Sequence, residues 1–145
     1  MTKPTTTAAR PQRNLPRGIR NNNPLNIRIG NVWLGEVAEP TDPDFEQFVS
    51  MVYGLRAAMV LMRRYYFHYK RRTIAAIVSA WAPPAENNTQ AYIDKVCAQT
   101  GFSPGEQLIY EKSVITRLVA AMVVVECGAR YTVTDALLDK AFDMA

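Results

Sequence analysis

Residues 49–69, VSMVYGLRAAMVLMRRYYFHY, decide the fold. Within them Val52, Leu55, Met59, Met62 and Tyr66 recur at steps of three and four, the spacing that gathers side chains on one face of an α-helix. A helix reaching Phe67 to Tyr69 is predicted, and its apolar stripe requires a core to face.

The end of this stretch runs on into Arg63-Arg64-Tyr65-Tyr66-Phe67-His68-Tyr69-Lys70-Arg71-Arg72. On a helix, Met62, Tyr66 and Tyr69 share the core side while Arg63, Arg64, Lys70 and Arg71 reach water along their apolar stems. Positive charge also suits a helix C-terminus. Tyrosines that stack bases and cations that hold phosphates would make the same run a nucleic-acid surface. That reading is the weaker one, because the stripe needs no ligand to explain it.

Downstream the helical signals continue. Thr73 opens a segment with Ile74, Ile77, Val78 and Trp81 on one face, and Pro83-Pro84 stops it. Asn87 or Asn88 caps a third helix bearing Tyr92, Ile93 and Val96, with Gly101 as its left-handed end. Ser103-Pro104-Gly105-Glu106 has the capping-box arrangement, which predicts a helix from there to Gly128. Its apolar residues, from Leu108 and Ile109 through Val123, are dense enough to make it the central helix. Thr132 with Asp135 repeats the capping logic for a last helix carrying Leu137 and Phe142.

Upstream the pattern is different. From Gly18 to about Phe48 turn formers dominate, and Ile27, Ile29 and Trp33-Leu34 around Gly30-Asn31 suggest one small β-hairpin. Residues 1–16 are rich in Thr, Pro and Arg and read as a flexible basic arm. Residues 17–145 then form one mainly α domain of about five helices with a loop-rich N-terminal part.

Composition bounds the function. The 145 residues carry a net charge of +4, which favours anionic partners only weakly. The longest apolar run, Leu118 to Cys127, is interrupted by Glu126 and is about half the length of a membrane span, so none is expected. The first seventeen residues contain no apolar stretch of signal-peptide type. Cys97 and Cys127 sit among apolar neighbours and read as small hydrophobes.

One histidine, His68, leaves no converging set of metal ligands and no base beside a nucleophilic Ser or Cys. Phosphate-cradling glycine spacings are missing, so neither a metal nor any other cofactor is implied. Carboxylate chemistry remains, since glycoside cleavage needs only one or two Asp or Glu residues across a groove. Glu36 follows Trp33-Leu34-Gly35, a setting that raises a carboxyl pKa and stacks a sugar, although a solvated turn glutamate fits the spacing too. Glu39 is the weaker candidate. Glu86, at a helix start, is expected to stay ionised in a structural or binding role.

Several blocks carry a resemblance: Arg17-Gly18-Ile19-Arg20-Asn21-Asn22-Asn23-Pro24-Leu25-Asn26-Ile27-Arg28, Trp33-x-Gly35, Asp44-Phe45-x-x-Phe48 and Gly54-Leu55-Arg56-Ala57. It continues through Thr73-Ile74, Trp81-Ala82-Pro83-Pro84-x-Glu86-Asn87-x-Thr89, Tyr92-Ile93 and Gly101. In order and spacing they resemble phage and prophage structural, virion-associated proteins over about residues 17 to 105. In outline this is also similar to glucosaminidase domains of the lysozyme-like superfamily.

The resemblance implies a lysozyme-like domain that acts on or binds bacterial peptidoglycan, as a glycoside hydrolase or lytic transglycosylase if it cleaves. Asn21, Asn22, Asn23, Asn26, Trp33, Glu86, Asn87 and Tyr92 would line its groove, with Glu36 and then Glu39 as catalytic candidates. Two features depart from the pattern: Leu25 replaces a glycine, and no helix bearing the superfamily's acid precedes the Asn-rich loop. The alternative is a non-enzymatic structural subunit of a virion or tail, with other virion proteins or further copies of itself as partners. The expected location is the phage virion, or the cell wall after delivery.

Overall fold

The computed structural model describes residues 15–145, so most of the basic arm expected at residues 1–16 lies outside the described residues. Among the described residues six helices follow one another: α1 Arg17–Arg20, α2 Met51–Phe67, α3 Ile74–Trp81, α4 Thr89–Thr100, α5 Lys112–Cys127 and α6 Asp135–Met144. The protein is mainly α, as its periodicity predicts; the additional helix is the single turn α1.

The stripe read from residues 49–69 is the inner face of α2. Leu55, Met59 and Met62 are at most 1% exposed, and each such burial is worth about 1.5–3 kcal/mol. α3 starts after Thr73 and α4 is capped at both ends, as read. Thr73 accepts the amide of Ala76, Asn88 accepts that of Ala91, and Gly101 closes α4 at φ 80°. α5 is the central helix, burying Ile115, Leu118, Val119, Met122 and Val123 against α1, α2, α4 and α6.

Four local expectations are corrected. α5 begins at Lys112, not near Pro104. Glu106 does accept the amide of Ser103, but Leu108 donates its N–H to Arg72 and its carbonyl accepts the Tyr66 hydroxyl. These tertiary bonds hold the chain out of helix and overrule the local cap. The last helix is capped by Thr134, which accepts the amide of Leu137, two residues after the expected Thr132. Tyr69 does not share the core side, because α2 ends at Phe67 and leaves Tyr69 50% exposed.

The fourth correction concerns the hairpin. Residues 27–29 do not pair with 33–34; residues 27–29 and 35–37 instead both bond to a third stretch, residues 44–49. Arg28 bridges Phe45 and Glu36 bridges Phe48, both antiparallel. The ladder bonds run Ile29 N to Asp44 O, Glu46 N to Ile27 O, Val37 N to Gln47 O and Val49 N to Gly35 O, at 2.8–3.0 Å. Phe48, 2% exposed, anchors the middle strip to the core.

Candidate functional site

The Asn-rich loop turns on conformations that few residue types tolerate. Asn22 and Asn26 have φ of 52° and 53°, in the left-handed region where asparagine is among the least strained side chains. Three of the four amides then fasten the loop to the strip. Asn21 donates to Asp42, Asn22 to the carbonyl of Phe48, and Asn23 to the carbonyls of Ile27 and Glu46. Asn23 is fully buried and also accepts the amide of Ile27. Arg17 closes the loop's outer side with two bonds to Asp42, 2.6 and 2.7 Å long. That guanidinium holds the Asp42 carboxyl well below the usual carboxylate range.

Asn26 alone turns the other way. Its Nδ2 donates to Oε1 of Glu126 at 2.8 Å, across one hundred positions of sequence. The hydroxyl of Tyr92 donates to Oε2 of the same carboxyl at 3.0 Å. Glu126 is half-buried in the last turn of α5, and burial pushes its pKa above the ordinary value against the pull of those two bonds. Burial, and then the neighbouring Glu126, also keep the Tyr92 phenol protonated far beyond its usual range. Asn26 Oδ1 is buried with no partner, an arrangement that costs about 1–3 kcal/mol. The amide keeps its Glu126 contact in spite of that cost.

The carboxyl stands where two cavities meet. One, of about 130 Å³, is walled by Leu25, Asn26, Trp81, Pro83 and Glu86; the other, of about 230 Å³, lies along Asn88, Ala91, Tyr92 and Lys95. Glu126 and Asn87 line both. A third, of about 240 Å³, continues past Asn26, Arg28 and Trp81 to Tyr65. The result is a polar groove with aromatic walls, a half-buried carboxyl with a raised pKa, and cations at Arg28 and Lys95. Such a carboxyl can hold a proton and donate it to a glycosidic oxygen.

Of the residues named from sequence, the groove brings together Asn26, Glu86, Asn87 and Tyr92. Glu86 is exposed and sits 3.9 Å from Arg28. Asn21, Asn22 and Asn23 serve the loop instead. Trp33 is 8% exposed and belongs to the core. Glu36 accepts the backbone amide of Trp33, Glu39 is exposed, and neither lines the groove. The residue that sequence reasoning passed over is Glu126. Its signal was present, as the one charge inside the apolar run Leu118 to Cys127.

Among the described residues no three His, Cys, Asp or Glu side chains converge as metal ligands, and no helix is long and apolar enough to cross a membrane. Cys97 and Cys127 are free; burial pushes the Cys127 thiol up to about 11.

Fold and groove define a small helical domain with a polar groove beside the half-buried carboxyl of Glu126. No family model matches the chain. It is 38% identical over 117 residues to Protein P5 of Pseudoalteromonas phage PM2, covering 78% of this chain and 72% of that protein. The chain therefore belongs to the family of this phage protein and is phage-associated.

Proposed function

We propose that this is a virion-associated phage protein that binds bacterial peptidoglycan in the groove around Glu126 and cleaves its glycan strand, with Glu126 as general acid. The observation that carries the reading is the carboxyl itself. It is half-buried, its pKa is raised by burial, and the Asn26 amide and Tyr92 hydroxyl hold it at the meeting of two cavities. Membership in a phage protein family supports the virion setting, with other virion proteins as neighbours.

Asn26 and Tyr92 orient the carboxyl. When Glu126 is protonated, one oxygen carries the proton and becomes a donor toward the groove. Glu86 faces the same cavity from the opposite segment and is the second carboxylate available to steady positive charge on the sugar. Its side chain is 62% exposed, so it is open to water as well as to the groove. This reading replaces Glu36 and Glu39 as acids with Glu126.

A non-enzymatic structural subunit is the second reading, favoured by the fact that both oxygens of Glu126 already have protein partners. Purified peptidoglycan separates the two. The enzymatic reading expects soluble fragments from wild type, none from Glu126→Gln, and co-sedimentation of both proteins with the wall. Co-sedimentation without fragments leaves a glycan-binding subunit, and neither result leaves a structural one.

A further inference from the structure

On the far end of α2 the run Arg63 to Arg72 forms a second surface that the groove does not use. Of its aromatics Tyr66 and Tyr69 are expected on the core side, and for Tyr66 that is correct, since it is 8% exposed and bonds the carbonyl of Leu108. Phe67 and Tyr69 behave differently. Each is 50% exposed, and with Arg63, Arg64 and His68 they line an open depression of about 600 Å³.

The cations there have no carboxylate to neutralise them. Among the described residues Arg63, Arg64 and Lys70 have none within 4.0 Å, and residues 1–14 contain no Asp or Glu. Arg71 is instead stacked over the rings of Tyr65 and Tyr69, at 4.9 and 4.7 Å. Lys70, at φ 59°, turns the chain sharply after the helix, and the amides of His68 and Tyr69 both return to the Arg64 carbonyl. The depression is therefore held in shape by backbone bonds, with unpaired positive charge beside half-exposed rings.

We propose that this depression binds single-stranded nucleic acid, with bases stacking on Phe67 and Tyr69 and phosphates held by Arg63, Arg64 and Lys70. Two features favour this ligand. Unpaired guanidinium groups match a phosphate chain, and rings set in a concave surface accept flat bases. An anionic membrane calls for apolar side chains that protrude, which a depression does not offer. Sequence-tolerant binding is expected, because a π-face and a phosphate are common to every nucleotide.

The test is fluorescence anisotropy of a labelled oligodeoxythymidylate titrated with the full chain over a range of salt. Affinity should fall linearly with salt on logarithmic axes, with a slope of about −0.7 per phosphate contacted. Arg63→Gln/Arg64→Gln should lower the slope by about 1.4 and weaken binding at every salt. Arg20→Gln/Arg130→Gln removes the same charge elsewhere and should leave the curve in place.

Tyr69→Ala should weaken binding by about fivefold or more without changing the slope. Its melting curve, recorded alongside, separates lost stacking from lost folding. No anisotropy change at the lowest salt, equal losses in both double variants, or capture by anionic phospholipid vesicles with none by the oligonucleotide would each overturn the proposal.

Discussion

Replacing Gly54 with alanine tests whether the Asn-rich loop rests on α2 as closely as described. A Cβ at Gly54 would lie 1.8 Å from the carbonyl oxygen of Asn22 and 2.9 Å from its carbon. Ordinary contact begins near 3.4 Å, so helix and loop would have to part by about 1.6 Å. The loop has little room to retreat. Asn22 is tied to the Phe48 carbonyl, Asn23 to Ile27 and Glu46, and the Pro24 carbonyl to the Cys127 thiol.

Overpacking of this kind costs about 1–3 kcal/mol, and losing the Asn22 bond adds about 1. Alanine's better helix propensity returns about 1 kcal/mol. The net loss is about 1–3 kcal/mol, or about 3–12 °C in Tm for a domain of this size. Thermal unfolding followed by circular dichroism reads it directly. Gly30→Ala, where nothing lies within 4 Å of an added Cβ, is the control and should melt with wild type. A Gly54→Ala protein that also melts with wild type would refute the close approach and the loop placement built on it.

Three further outcomes follow from the same geometry. Asn23→Ala strips partners from the buried groups of Ile27 and Glu46 and should cost about 3 kcal/mol, whereas Asn31→Ala, at an exposed site, should be silent; denaturant titration compares them. Asp42→Asn should destabilise at neutral pH, with the gap closing in acid. Asp42's folded pKa is depressed, so its contribution is present above the unfolded value of 3.8 and fades as pH falls below it; melting curves from pH 7 to about 2 follow this. Glu126 has the opposite sign. Its folded pKa is raised, so wild type loses stability relative to Glu126→Gln as pH rises past the ordinary value of 4.5, and equal melting differences at pH 4 and 8 would contradict that.

What could be read from sequence depended on how local the cause was. The stripe on α2 and both ends of α4 follow from spacing and from single capping residues, so they were legible. The start of α5 was not. Ser103 to Glu106 holds one bond of a capping box, but Leu108 is committed to Arg72 and Tyr66, contacts made by chain more than thirty positions away. The N-terminal strip failed for the same reason, since the partner of residues 27–29 is chosen by Asn23 and Phe48 rather than by the nearest turn.

The lining of the groove was half legible. Asn26, Glu86, Asn87 and Tyr92 lie in the recognised blocks, but four adjacent asparagines cannot be sorted by spacing into those that fasten the loop and the one that faces the groove. Glu126 announced itself as a charge in an apolar helix, yet only the fold brings it to Asn26. Glu36 seemed placed by Trp33, whose ring proves to be core.

The most direct test of the central claim is the initial rate of fragment release from purified peptidoglycan by wild type, Glu126→Gln and Glu36→Gln, each first shown to be folded. General acid catalysis by Glu126 predicts that Glu126→Gln falls by about 100-fold or more while Glu36→Gln stays close to wild type. Equal rates for wild type and Glu126→Gln, or no release by wild type at all, would contradict it.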